Sequence, residues 1–211
     1  MVSGDVARSP RGRGRPVSDG PPTTRQDILH AAREVFSEVG FQGATFKEIA
    51  ARANVTRPAV NHYFKDKATL YSALFDSTQD EVVGVGLTRA AAKETLAAQL
   101  TAFLAAAVQA DSQDRTYARF IASSLLDSVR HPEFHERAQS QLDGVRQFLG
   151  QAFDNAVRAG EITEDPDKSA VIEMLIAVMW GMGMYAGFIG SHEQLKSVVA
   201  QFTRLLEGSL W

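Results

Sequence analysis

The 211-residue sequence predicts an all-α protein, on three observations. Apolar residues recur at helical spacing along most of the chain. No segment alternates with the period of two that a half-buried strand requires. Gly, Pro, Asn, Ser and Asp fall at intervals that punctuate about nine helices. A hydrophobic content of 45% is enough for a substantial core.

Residues 1–22 are rich in Gly, Pro, Ser and Arg, lack apolar periodicity, and read as a basic arm. Order is expected from "TTRQDILHAAREVFSEVGF", where Ile28, Ala31, Ala32, Val35, Phe36 and Val39 form one helical stripe. Thr24 is the candidate cap and Gly40 the left-handed stop. In "GATFKEIAARANVT", Thr45 and Glu48 have capping-box spacing, Ile49, Ala50 and Ala53 make a buried side, and Asn54 suits a left-handed turn. Thr56 caps the next helix, which puts Pro58 in the first turn, where no intrahelical N–H is lost. After Asp66, another good cap, helices are expected near 67–88, 92–110, 114–130, 133–159, 166–189 and 192–209, with Asp165 and Pro166 opening the fifth of these. The organisation predicted is an arm (1–22), a three-helix unit (23–67) and a helical body (68–211).

Residues 45–64 carry the chemistry. Val55, Ala59, Val60 and Phe64 can bury one face of the third helix, which turns Arg57, Asn61 and His62 outward near the half that enters a major groove. Arg pairs with guanine O6/N7 and Asn with adenine N6/N7; Thr45, Lys47, Thr56, Tyr63 and Lys67 complete the expected DNA contacts, with Tyr63 and Lys67 on phosphate. Charge agrees. Met1 to Lys67 holds 11 Lys/Arg against 7 Asp/Glu, and the remainder 11 against 18, so a polyanion partner suits the first third only. The same pattern would also fit a helical hairpin with a solvated face, which leaves a helical small-molecule-binding protein without DNA function as the alternative.

The stretch from Thr24 to Leu74 resembles the N-terminal DNA-binding domain of the TetR/AcrR family of bacterial transcriptional regulators. The matching residues are "AAREVFSEVGFQGATFKEIAARANV", Thr56, Val60, Tyr63–Phe64, Lys67 and Leu70, in about a quarter of the chain. Two positions depart from the family: Asn54 replaces a frequent glycine, and Asn61 stands where tyrosine is common, so operator preferences do not carry over there. The resemblance implies a homodimer on a palindromic operator, a C-terminal domain for a small effector, and repression relieved by that effector. It also implies that the last two helices form the dimer's four-helix bundle; in this sequence that pairing is expected to bury Val171, Leu175, Val178, Met182, Leu205 and Leu206, with Gly183 and Gly187 allowing close approach.

Other segments have two readings each. "RGRGRP" (Arg11–Pro16) resembles an AT-hook core, with Arg13 and Arg15 entering a minor groove, or is a basic tail acting by counterion release. "AVIEMLIAVMWGMGMYAGFIG" (170–190) has one charge, Glu173, in 21 positions; it could span a bilayer, but its polar capped neighbours favour a buried helix. His131 and His135, beside Asp127 and Glu133, are read as surface or capping residues rather than a metal site. No cysteine, Walker loop or defensible carboxylate pair is present, so neither catalysis nor a cofactor is expected, and the start lacks a secretory h-region, which suits the cytoplasm. An effector pocket is expected from Phe75, Phe103, Leu104, Tyr117, Phe120, Phe148, Met174 and Trp180, with Tyr117 or Arg119 for a polar group. So lined, it would take a lipophilic or aromatic molecule.

Overall fold

A computed structural model describes residues 21–162 and 166–209, and among these every regular element is helical. The helices are α1 (Pro21–Gly43), α2 (Phe46–Arg52), α3 (Arg57–Tyr63), α4 (Lys67–Thr78), α5 (Val85–Ala91), α6 (Leu96–Gln113), α7 (Thr116–Arg130), α8 (His135–Ala159), α9 (Lys168–Met184) and α10 (His192–Leu206). A π-helical segment, Gln79–Gly84, joins α4 to α5 in one rod, a second, Tyr185–Ile189, extends α9, and a 3₁₀ turn, Pro132–Phe134, precedes α8.

Local chemistry sets the helix ends. Thr45, Thr56, Asp66, Thr95 and Asp167 each accept a hydrogen bond from the backbone N–H three residues on. Gly40 (φ 69°) breaks the helical path of α1, and Asn54 (φ 55°) makes the left-handed turn between α2 and α3. Three expected details differ. The first helix begins at Pro21, so Thr24 lies inside it and caps nothing. Only half of the capping box forms at Thr45, because the Glu48 carboxylate turns to Arg52 at 3.7 Å. The cap of α9 is Asp167; Asp165 lies outside the described residues.

Packing divides into three cores. The first joins α1 to α4 around Ile28, Val35, Phe36, Ile49, Val60, Leu70 and Tyr71, and it takes in Phe120 of α7 and Phe134. Val39, expected in the buried stripe, is 47% exposed, while Leu29 is buried. The Tyr71 ring stacks on Phe134 at 4.5 Å, meets Phe36 edge-on at 4.9 Å, and lies 5.5 Å from Phe120. Each such buried ring contributes about 1.5–3 kcal/mol, so Tyr71 of α4 ties the three-helix unit, through Phe36, to Phe120 of α7 and to Phe134. The second core lies among α5, α6, α9 and α10, and the third among α6, α8 and α9. Within the single chain α9 and its extension are not buried all round: Met174, Met184, Phe188 and Ile189 are all exposed.

Candidate nucleic-acid interface and effector cavity

Two short helices carry the exposed polar face. Val60 and Phe64 are buried and Val55 and Ala59 half-buried, which rotates Arg57, Asn61 and His62 into solvent on α3. Thr45, Lys47 and Thr56 are exposed on the same unit; Tyr63 is half-buried, its ring 5.2 Å from that of His62. The helix has no carboxylate of its own, so nothing on it repels a phosphate backbone. Lys67 departs from expectation. Its Nζ donates to the carbonyls of Gln42 (3.1 Å) and Ala44 (3.0 Å) and sits 4.6 Å above the Phe41 ring, and burial lowers its pKa. The ammonium ties the start of α4 to the end of α1 rather than standing free for phosphate. Arg13 and Arg15 lie outside the described residues.

Within the helical body a cavity of about 130 Å³ is walled by α6, α7, α8, α9, α10 and the two π-helical segments. Of the expected pocket residues, Phe103, Leu104, Tyr117 and Trp180 line it. Four do not. Phe75 and Phe120 are spent in the first core, Phe148 packs between the other two, and Met174 is 56% exposed. Arg119 is also elsewhere, its Nε donating to Gly187 O at 3.0 Å. Sequence reasoning placed Ala122 at the cavity but missed Val82, Ile121, Gln141 and Asp111, which also line it. An aspartate in an apolar helix was the one legible signal among them. Asp111 is buried, with its Oδ2 2.9 Å from His192 Nδ1.

The cavity wall reaches the three-helix unit through two polar junctions. Arg33 of α1, its side chain 6% exposed, donates to Asp114 Oδ2 (2.7 Å) and Thr116 Oγ1 (2.9 Å), and its guanidinium lies 3.7 Å above the ring of the cavity-lining Tyr117. Burial and a hydrogen bond to Glu81 push the Tyr117 phenol up to about 12, so it stays a donor at neutral pH. Burial alone would raise the Asp114 carboxyl, but hydrogen bonds from Thr116 and Arg33 outweigh it and hold the group below the usual range. At the second junction buried Asp127 accepts from Tyr71 Oη (3.0 Å) and from the Phe41 N–H (3.3 Å). His131, expected as a surface or capping residue, stands at the C-cap of α7 and is buried edge-on to Phe41 at 5.0 Å. His135 is exposed.

The expected dimer residues divide by face. Leu175, Met182 and Gly187 are buried inside the subunit, and Val171 and Val178 pack half-buried in the second and third cores. A Cβ on Gly187 would lie 2.9 Å from Arg119 Cα, so this glycine serves the close approach of α7 and not an outer contact. Gly183 is half-buried and lines the cavity. Leu205 is exposed and Leu206 half-buried, and the outward stripe of α9 consists of Met174, Ala177, Gly181, Met184 and Phe188.

A capped helix-turn-helix with an exposed basic and amide face, joined through buried contacts to a helical body with an internal cavity, defines a DNA-binding regulator. Residues 28–74 match the family model "Bacterial regulatory proteins, tetR family", and residues 90–202 match "Tetracyclin repressor-like, C-terminal domain". The chain belongs to the tetR family of bacterial transcriptional regulators. It is similar to the HTH-type transcriptional regulator SrpR of Pseudomonas putida, 28% identical over 193 residues that cover 89% of this chain and 84% of that one. It also resembles the HTH-type transcriptional repressor AcnR of Corynebacterium glutamicum, 41% identical over 58 residues, 28% of this chain and 31% of the relative. The fold resembles that of the transcriptional regulator FadR from Bacillus subtilis in complex with stearoyl-CoA, with TM-score 0.70, 20% identity, and coverage of 88% and 99% of the two chains.

Proposed function

We propose that this regulator is a cytoplasmic homodimeric repressor that leaves a palindromic operator when a small apolar effector fills its cavity. Residues 23–67 are the reading head and 68–211 the effector and dimerisation unit. In each subunit α3 lies in the major groove, where Arg57 reads guanine and Asn61 adenine, with Thr45, Lys47, Thr56, His62 and Tyr63 on the flanking backbone. Arg13 and Arg15 of the N-terminal arm add minor-groove contacts beside the half-site.

The observation that carries the switch is the Arg33–Tyr117 contact, 3.7 Å from guanidinium to ring, because Tyr117 is cavity wall and Arg33 belongs to the first helix of the reading head. A cavity near 130 Å³ holds little more than one ring. A drug-sized pocket needs about 300–1,000 Å³, so a larger effector must part α6, α7 and α9, and α1 moves with α7. Two heads about 34–36 Å apart, one helical turn of DNA, tolerate little such movement. A hundredfold loss of operator affinity requires about 2.7 kcal/mol of coupling between the sites.

The test is operator release by a panel of small lipophilic compounds, measured on the native protein and two variants. Arg57→Ala should lose about 1–3 kcal/mol of preference at one base per half-site while still responding to effector. Ala122→Trp, which fills the cavity, should bind operator and lose the response. If every compound that stabilises the protein leaves operator affinity unchanged, the switch is wrong and a constitutive DNA binder remains.

A further inference from the structure

The cavity is apolar apart from Gln141, the Tyr117 phenol and one charged group, Asp111, and that group is incompletely satisfied. Asp111 is 2% exposed, and its Oδ1 is buried without a hydrogen-bond donor among the described residues. Its other oxygen faces His192. The neighbouring Arg115 approaches Oδ1 to 3.5 Å through Nε but makes no hydrogen bond to it. Its Nη2 is committed to the carbonyls of Ala186 (2.7 Å) and Gly190 (2.5 Å). The Arg115 side chain is also 47% exposed, so water screens its charge, whereas the Asp111 side chain at 1% exposure has almost none. A buried carboxylate oxygen with no donor is costly, and a ligand that brings one into the cavity gains what the protein leaves unmade.

Two further features select the charge of that ligand. Phe103 and Trp180 give the cavity aromatic walls, and aromatic faces attract cations; the Tyr117 ring already carries the Arg33 guanidinium on one face. Outside, a groove of about 590 Å³ shares Val83, Gln141 and Val145 with the cavity and so adjoins it directly. The groove carries Asp76, Asp80, Glu133 and Glu136 against a single cation, Arg137, which is itself paired with Asp76. A molecule approaching along it crosses a field that attracts cations and repels anions.

We propose that the effector is a lipophilic organic ammonium, its apolar body held among the aromatic walls and its N–H directed at Asp111 Oδ1. The inference rests on the effector reading above and names its ligand class. It differs in charge from the stearoyl-CoA bound by the structural relative from Bacillus subtilis.

Three probes of nearly equal size separate the chemistries: 2-phenylethylammonium, 2-phenylethanol and phenylacetate, titrated calorimetrically into the full-length protein. The ammonium should bind about tenfold or more tighter than the alcohol, and phenylacetate should not bind measurably. Asp111→Asn should bring ammonium and alcohol to about equal affinity. If that variant does not fold, the order of the three probes on the native protein still decides. An alcohol that matches the ammonium, tighter binding of phenylacetate, or no binding of the ammonium overturns the proposal. Operator release is read separately. An ammonium that binds without releasing operator leaves the ligand class standing and removes the switch. Release by phenylacetate alone does the reverse.

Discussion

Asp114 is the carboxylate at the first of the two polar junctions between reading head and body. It accepts from Arg33 at 2.7 Å and from both the N–H and hydroxyl of Thr116. These bonds hold its pKa below the usual value despite burial. A folded-state pKa below the unfolded one, near 3.9 for aspartate, gives stability that is fully present above the unfolded value and is lost as pH falls through the folded one. Melting temperatures of native protein and Asp114→Asn, compared from neutral pH downward, should therefore differ most above about pH 4 and converge below it. A difference that stays constant through the acid range would remove Asp114 from this role. The junction was not legible in the sequence, because Arg33 and Asp114 are 81 positions apart and nothing local couples them. Lys67 teaches the same lesson. As a lysine at a helix start beside a reading helix it reads as a phosphate ligand, and only the fold reveals the Gln42 and Ala44 carbonyls beneath it.

At the scale of elements, the caps of α2, α3 and α4 and the facing of α3 were legible, and the facing of α9 was not. Thr45, Thr56 and Asp66 act on the N–H three residues on, so their spacing alone identifies them. Which side of α9 turns inward is a different question, because its sequence is apolar all round and periodicity carries no phase. Two stripes with the same 3-4 spacing run along it: Val171, Leu175, Val178 and Met182 point into the subunit, and Met174, Ala177, Gly181, Met184 and Phe188 point away. The π-helical segments, Gln79–Gly84 and Tyr185–Ile189, also left no local signal. The second of them packs on α7 through Gly187, where an added Cβ would meet backbone: Arg119 Cα at 2.9 Å, Arg119 N at 3.0 Å and Ala118 C at 3.2 Å. Backbone cannot rotate out of the way as a side-chain tip can. Gly187→Ala should therefore cost about 1–3 kcal/mol in denaturant unfolding, as overpacking does. Gly144→Ala in α8, which meets nothing within 4 Å, should instead gain about 0.5–1 kcal/mol from helix propensity. Equal effects would mean that the π-helical segment does not set the approach of α7.

For the molecule as a whole, the outward stripe of α9 is the feature that a single subunit leaves unexplained. The segment Lys168–Ile189 has a mean hydropathy of 1.6 over its most apolar window, yet only 22% of that window is buried within the chain. A helix apolar all round belongs in a core or a membrane, and the polar capped helices beside it, with Ser191 and Gln194 forming a capping box at the start of α10, favour a protein core. The 3-4 spacing of Met174, Ala177, Gly181, Met184 and Phe188 is that of a helix–helix seam, with small residues at Ala177 and Gly181 where two backbones would approach. A second copy related by a two-fold axis would supply the matching stripe and, with it, the second reading head that a palindromic site would require. Ala177→Glu puts an unpaired carboxylate at the centre of that seam, and a buried, unpartnered charge costs at least several kcal/mol. The subunit itself should be spared, because Ala177 is exposed within it. Sedimentation should then report half the native mass with an unchanged far-ultraviolet spectrum. Operator binding should fall steeply on a two-half-site fragment and hold on a single half-site, since only the linked second contact is lost. Dimers that persist through both Ala177→Glu and Phe188→Glu would move the interface to another exposed apolar surface, such as Leu125, Leu126 and Val129 of α7.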